Sequence, residues 1–207
     1  MSEGTQFPGS EFVSRETNEH FEMLEKLVQK WNPAINLVSR ESLRHLRDRH
    51  INDSLQLFNL ATFGAGTWCD LGSGGGFPGL VVAILMKTTK HPGHIKLIEA
   101  DARKCTFLRE AARQMDVEAT IVNERIEQLA PLSASVLSAR ALTALPQLCE
   151  FAGQHLASDG VALFPKGARY QEEVDAARKS WSFDLTVHPS KTESSAAILE
   201  LRNVHHV

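Results

Sequence analysis

The sequence predicts an α/β fold: a Rossmann-like, mostly parallel sheet with a C-terminal antiparallel hairpin, preceded by a helical extension. Three observations carry this. From Thr67 to about Ser180, short β-branched apolar runs alternate with helix-length amphipathic stretches, the rhythm of βαβ units. A glycine-rich stretch, Cys69-Asp70-Leu71-Gly72-Ser73-Gly74-Gly75-Gly76-Phe77-Pro78-Gly79, joins the first such run to the continuous apolar segment 80–86. Beyond residue 180 the rhythm fails, and two strand-like runs are separated only by the polar residues 189–195, which reads as a hairpin.

Residues 1–13 read as a flexible N-terminus, 14–63 as the helical extension and 64–207 as the sheet-bearing domain. From Ser14 onward, Phe21, Leu24, Leu27, Val28 and Trp31 recur at helical spacing, and Asn32-Pro33 is expected to break that helix. A second helical stretch starts near Glu41 and a third spans 53–60. Gly64 and Gly66 then punctuate the chain. Strands are expected at 67–71, 95–99, 119–122, 136–138 and 161–164. Helices belong near 78–87, 102–114, 143–156 and 168–180, and the hairpin strands at 181–188 and 196–202.

A chain of 207 residues has room for one α/β domain with a short appendage. The formal charge of −3 confines any nucleic-acid surface to a local patch. The run 80–86 is too short to cross a bilayer, and the first residues lack the basic start and apolar stretch of a signal peptide. Cys69, Cys105 and Cys149 are widely spaced, which points to reduced thiols in the cytoplasm rather than disulfides or zinc. The nine histidines include no HExxH pair, so no metal is expected. Nothing demands a dimer, and a monomer is the expectation.

The chemistry concentrates in the glycine stretch. Five glycines in eleven residues exceed what an ordinary turn requires, and a strand–loop–helix junction is a ligand crevice. Two patterns overlap. Gly74-x-Gly76-x-x-Gly79, with Glu99 twenty residues further on, satisfies a dinucleotide fingerprint. Asp70 followed by Gly72-x-Gly74-x-Gly76 fits the first motif of class I S-adenosylmethionine-dependent methyltransferases. Asp70 stands where a carboxylate can meet the cationic amino-acid end of the methyl donor, and Pro78 withholds an amide that a pyrophosphate would use. The hairpin ending also suits the methyltransferase sheet, so that reading leads. Glu99 is expected to take both ribose hydroxyls, and Asp101 to cap the following helix.

Beyond the glycine loop, "WNPAINLVSR", "RHINDSL", "ERIEQL", "SARAL" and "FPKG" complete a pattern from about Trp31 to the last strands. The chain resembles the RsmG (GidB) family, guanine-N7 methyltransferases of 16S ribosomal RNA. That resemblance implies S-adenosyl-L-methionine as cofactor, held at Gly72, Phe77, Ile126, Glu127 and Arg140. It implies 16S rRNA or the small ribosomal subunit as partner. Pro165 before Lys166 departs from the family's pattern and is expected to bend the strand end.

No nucleophile–base arrangement stands out. Methylation of guanine N7 needs none, because that nitrogen carries a free lone pair and alignment alone can drive transfer. Arg140, Arg125 and Lys166, at strand or turn ends, are therefore assigned to substrate positioning, on RNA phosphates or the guanine O6 edge. Arg40, Arg44 and Arg47 share one face at helical spacing and suit RNA phosphates, with a solvated helix face as the plain alternative. Asn32 reads as a cap or turn residue. His50 and Asp53, three apart, read as a structural hydrogen bond, with an active-site wall as the alternative. Phe7 and Phe12 suit packing better than base stacking. Two other functions compete: an NAD-type oxidoreductase and a non-catalytic RNA-binding module with a vestigial donor pocket.

Overall fold

The computed structural model describes residues 13–207; Phe7 and Phe12 lie outside them. The first helix, α1, spans Arg15–Ile35. Ser14 caps it, its Oγ accepting the Thr17 N–H at 3.1 Å, so one orphan amide of the first turn is satisfied. Phe21, Leu24, Leu27 and Val28 form the buried stripe that their spacing requires. Pro33 does not break the helix. It sits in the last turn, where little of the ladder remains to be lost, and the chain leaves at Asn36, whose N–H returns to the Asn32 carbonyl at 3.0 Å. The buried Asn32 side chain secures that exit by accepting the Val38 N–H at 2.9 Å.

The expected second helix is a different object. A 3-10 turn at Ser42–His45 runs into a π turn at Arg47–Ile51 and then into α2, Asn52–Leu60. The wider turn carries His50 and Ile51, both buried.

The remaining elements follow the predicted alternation. Strands β1 (Thr67–Leu71), β2 (His94–Ile98), β3 (Thr120–Val122), β4 (Ala134–Ala139) and β5 (Leu156–Lys166) interleave with helices α3 (Gly79–Thr89), α4 (Ala102–Gln114) and α5 (Leu145–His155). Helix α6 (Tyr170–Ala177) precedes the hairpin of β6 (Trp181–Pro189) and β7 (Ala197–His206). The seven strands lie in the order β3-β2-β1-β4-β5-β7-β6, with β7 antiparallel to both neighbours. Strand order reverses between β1 and β4, which opens a crevice at their C-terminal ends.

The sheet is covered on both faces. Trp68, Val136 and Leu163 point toward α1–α4, whereas Cys69, Leu137 and Phe164 point toward α5 and α6. Residues 79–86 are buried on every side because α1 and α2 lie over the helix face that the sheet does not cover. That explains its uninterrupted apolar run. Pro165 does not bend β5; pairing to β7 continues through Pro165↔Ile198 and Lys166↔Ala197. Pairing to β4 ends at Leu163, so on that side the missing N–H of Pro165 has no ladder to interrupt. The three cysteines are buried and free. No helix among the described residues is long and apolar enough to cross a membrane.

A tight constraint on sequence lies at the start of α3. A methyl group on Gly79 would stand 2.8 Å from Asp70 Oδ2 and press into Leu97. Gly79→Ala is therefore expected to lower the unfolding free energy by about 1–3 kcal/mol in a urea titration. Gly64→Ala, with nothing within 4 Å of its new methyl, is expected to leave it nearly unchanged.

Candidate active site

Asp70 is 1% exposed, and its carboxylate is turned into the protein. Oδ2 accepts the Gly79 N–H at 3.2 Å, and Oδ1 accepts the Ser138 hydroxyl at 2.8 Å. Ser138 lies directly across from Asp70 in the β1–β4 register, and its oxygen in turn accepts the Trp68 Nε1–H at 2.8 Å. Both Asp70 oxygens are thus engaged within the protein, where the sequence-based expectation had the carboxylate meet the cationic end of the donor. Asp70 positions the helix start and the loop. The same geometry disfavours a dinucleotide, because a carboxylate holds the α3 N-terminal amide that a pyrophosphate would need.

The loop itself is left-handed at Gly72, Gly74 and Gly76, with φ of 64°, 54° and 84°, values that favour glycine. It is laced to the end of β2. Ser73 donates its N–H to the Ile98 carbonyl at 3.0 Å, and Gly74 donates to Glu99 Oε2 at 2.9 Å. Glu99 Oε1 accepts the Asp101 N–H at 2.8 Å. Each Glu99 oxygen therefore spends one lone pair on the backbone and keeps one for a ligand. Above Gly74 the space is open: an added methyl would meet only the Gly72 carbonyl, 3.7 Å away. Open backbone beside an acid with two free lone pairs fits the diol of a nucleoside. Asp101 caps α4 as expected, accepting the Arg103 N–H at 2.8 Å. Asn123, which sequence reasoning missed, braces the crevice by donating to the carbonyls of Glu99 and Ala100 at 3.0 Å each.

Arg140 follows β4 and stands beside the loop, its guanidinium 5.7 Å from the centre of the Phe77 ring. It donates to the Arg49 carbonyl at 3.2 Å and to His50 Nδ1. Arginine has no acceptor, so Nδ1 of His50 is unprotonated and its proton sits on Nε2. Burial, reinforced by the charges of Arg140 and Arg49, lowers the His50 pKa to about 3 and keeps the ring neutral. His50 also lies 4.9 Å from Phe77, centre to centre. His50 and Asp53 share a wall but not a hydrogen bond; Asp53 is held instead by Thr192 and Gln56. Together with residues 141–144 and 165–167 they border a cavity of about 890 Å³. Leu142, another residue without a sequence signal, leans over Gly72 at the junction of cavity and loop.

The remaining basic residues separate. Lys166 borders the cavity, but its Nζ is committed to Glu173 at 2.7 Å and to the Thr143 carbonyl at 2.8 Å, which ties β5 to the loop after β4 and leaves little for a phosphate. Arg125 is exposed ahead of the short turn Ile126–Gln128, where Ile126 is buried and Glu127 exposed; it does not border the cavity. Arg40, Arg44 and Arg47 do not form one helical face. Arg40 and Arg44 are exposed, whereas Arg47 pairs with Glu25 at 2.7 Å and lies 5.4 Å above the Phe21 ring, because the π turn rotates it onto α1.

Burial pushes the Asp70 carboxyl up to about 6, against the pull of its hydrogen bonds to Ser138, Ser73 and Gly79. An unfolded aspartate ionises near pH 4, so the unfolded chain loses this proton first. The associated stability is full below about pH 4 and is lost as pH rises through about 6. Between pH 4 and 7 the wild type is therefore expected to lose on the order of 2–3 kcal/mol relative to Asp70→Asn, read from urea titrations of both proteins. Parallel pH curves would contradict it.

Known proteins agree with this geometry. The model of the family described as rRNA small subunit methyltransferase G (GidB) matches residues 17–201. The ribosomal RNA small subunit methyltransferase G of Cereibacter sphaeroides is 49% identical over 195 residues, covering 94% of each chain. That of Ruegeria pomeroyi is also 49% identical, covering 94% of this chain and 95% of that protein. In fold, the chain is similar to a TehB-like SAM-dependent methyltransferase from Corynebacterium glutamicum, with a TM-score of 0.57, 13% identity and coverage of 87% and 98% of the two chains. An oxidoreductase reading finds no support in these relationships. The chain belongs to the rRNA small subunit methyltransferase G family.

Proposed function

We propose that this protein transfers a methyl group from S-adenosyl-L-methionine to N7 of a guanine in 16S ribosomal RNA. Family membership makes it an rRNA methyltransferase that uses this donor. The observation that carries the chemistry is that the glycine loop, laced to Glu99 on one side, meets Arg140 through Phe77 on the other, and Arg140 in turn lines a roomy cavity. When bound, S-adenosylmethionine supplies a methyl group made electrophilic by its sulfonium.

The chain's residues bind and align. Glu99 presents its two remaining lone pairs to the ribose hydroxyls, while Gly72 and Gly74 let the donor approach the backbone. Phe77, the turn at Ile126 and Glu127, and Arg140 complete the donor's surroundings. Arg140 also faces the cavity, where its unspent N–H groups suit guanine O6 or a phosphate. Guanine N7 has no proton to lose, so neutral His50 does not act as a base. It accepts from Arg140 and holds it. Orientation at close approach is then the main source of rate. Arg49, exposed at the cavity rim, follows the RNA backbone, as do the exposed Arg40 and Arg44 that precede it in the chain. Residues 14–63 form the helical extension and 64–207 the methyltransferase domain, acting as a monomer in the cytoplasm.

Small subunits from cells lacking the gene, incubated with the protein and tritiated donor, are expected to gain label at one guanine. Borohydride and aniline, which cleave at N7-methylguanosine, should then cut the RNA there alone. Arg140→Ala is expected to lower the rate at least a hundredfold, on the scale of a lost positioning contact. Label without a cleavage site would overturn the N7 assignment, and no label would overturn the function.

A further inference from the structure

Among the charged residues that border the cavity without an ion pair, an aspartate and an arginine stand out. Asp53, in α2, and Arg140, after β4, both line it, yet among the described residues neither takes part in an ion pair. The Asp53 carboxylate is oriented from behind. Its Oδ1 accepts from the Thr192 hydroxyl and, at 3.5 Å, from Gln56 Nε2. Gln56 in turn accepts the Lys191 N–H at 2.8 Å, which clamps the β6–β7 loop to α2. Oδ2 has no partner among the described residues.

An arginine and a carboxylate that line one cavity, each with hydrogen-bonding capacity unspent, match a ligand with an acceptor beside donors. The guanine edge is such a group: O6 accepts, and the adjacent N1–H and N2–H₂ donate. Adenine reverses it, with an N6–H₂ donor beside an N1 acceptor, and would set like against like at both protein groups. We infer that Asp53 reads the N1–H and N2–H₂ edge of the acceptor guanine while Arg140 donates to O6, an assignment that rests on the guanine-directed reading above. N7 lies on the other side of O6 from N1, so this pose leaves it free to face the glycine loop. Bond formation at N7 makes the ring cationic and N1–H a stronger donor. The hydrogen bond to Asp53 therefore tightens as the methyl group arrives, a gain specific to the transition state.

The test separates base recognition from turnover. With the donor site saturated by S-adenosylhomocysteine, binding of guanosine and adenosine 5′-monophosphates to the full-length protein is followed by ligand-observed NMR. The wild type is expected to prefer the guanine nucleotide at least about tenfold, the scale of one good polar discrimination. Asp53→Asn should bring the two affinities together, and Thr192→Val should fall between. S-adenosylhomocysteine affinity should stay within about twofold throughout, on the same tenfold-per-1.4 kcal/mol scale. Equal binding of both nucleotides by the wild type, binding of neither, or a preference that survives Asp53→Asn overturns the assignment. A wild type that prefers guanine but labels no ribosomal RNA overturns the proposed function and leaves the recognition by Asp53 standing.

Discussion

A buried carboxylate at the centre of the sheet organises the molecule. Asp70 takes the first amide of α3 and the hydroxyl of Ser138, and so fixes where strand ends, loop begins and helix starts. An anion there gains from the helix dipole, which offsets part of the cost of burying it. The arrangement leaves no room for a side chain at residue 79. It also sets the glycine loop at the end of β1, with Gly72 and Gly74 partly exposed.

Two acids flank that loop, and their surroundings give them different tasks. Asp70 is enclosed and spends its oxygens on the fold. Glu99 lies at the sheet's rim, spends one lone pair of each oxygen on Gly74 and Asp101, and keeps the others for a ligand. The helical extension does more than pack. It seals the outer face of α3, and from its π turn it supplies His50 and the Arg49 carbonyl that hold Arg140. One wall of the cavity is therefore built from residues some ninety positions before the arginine they position.

Strands and helices of the sheet domain were legible because period, length and punctuation coincide there: β1 falls on the expected residues, and α4 on 102–114. Spacing alone singled out the glycine loop and Glu99, and the structure laces the two together. What was not legible depends on tertiary choices. Pro33 reads as a breaker, but a helix that ends two residues later, at Ile35, tolerates it. Arg47 fits a basic stripe until a π turn moves it onto α1. Lys166 looks free until Glu173, seven residues on, turns back to meet it. The contacts of Arg140 with His50 and of Asp53 with Thr192 join residues 90 and 139 positions apart, which no local pattern encodes.

The account stands on the glycine loop and Glu99 forming the seat of a sulfonium nucleoside. Calorimetric titration of the protein with S-adenosylhomocysteine, and with NADH in parallel, tests this most directly. Saturable one-to-one binding of the first, no heat from the second, and at least about tenfold weaker binding in Glu99→Ala, about 1.4 kcal/mol, is the predicted result. Binding of NADH instead, or S-adenosylhomocysteine binding indifferent to Glu99, would contradict it.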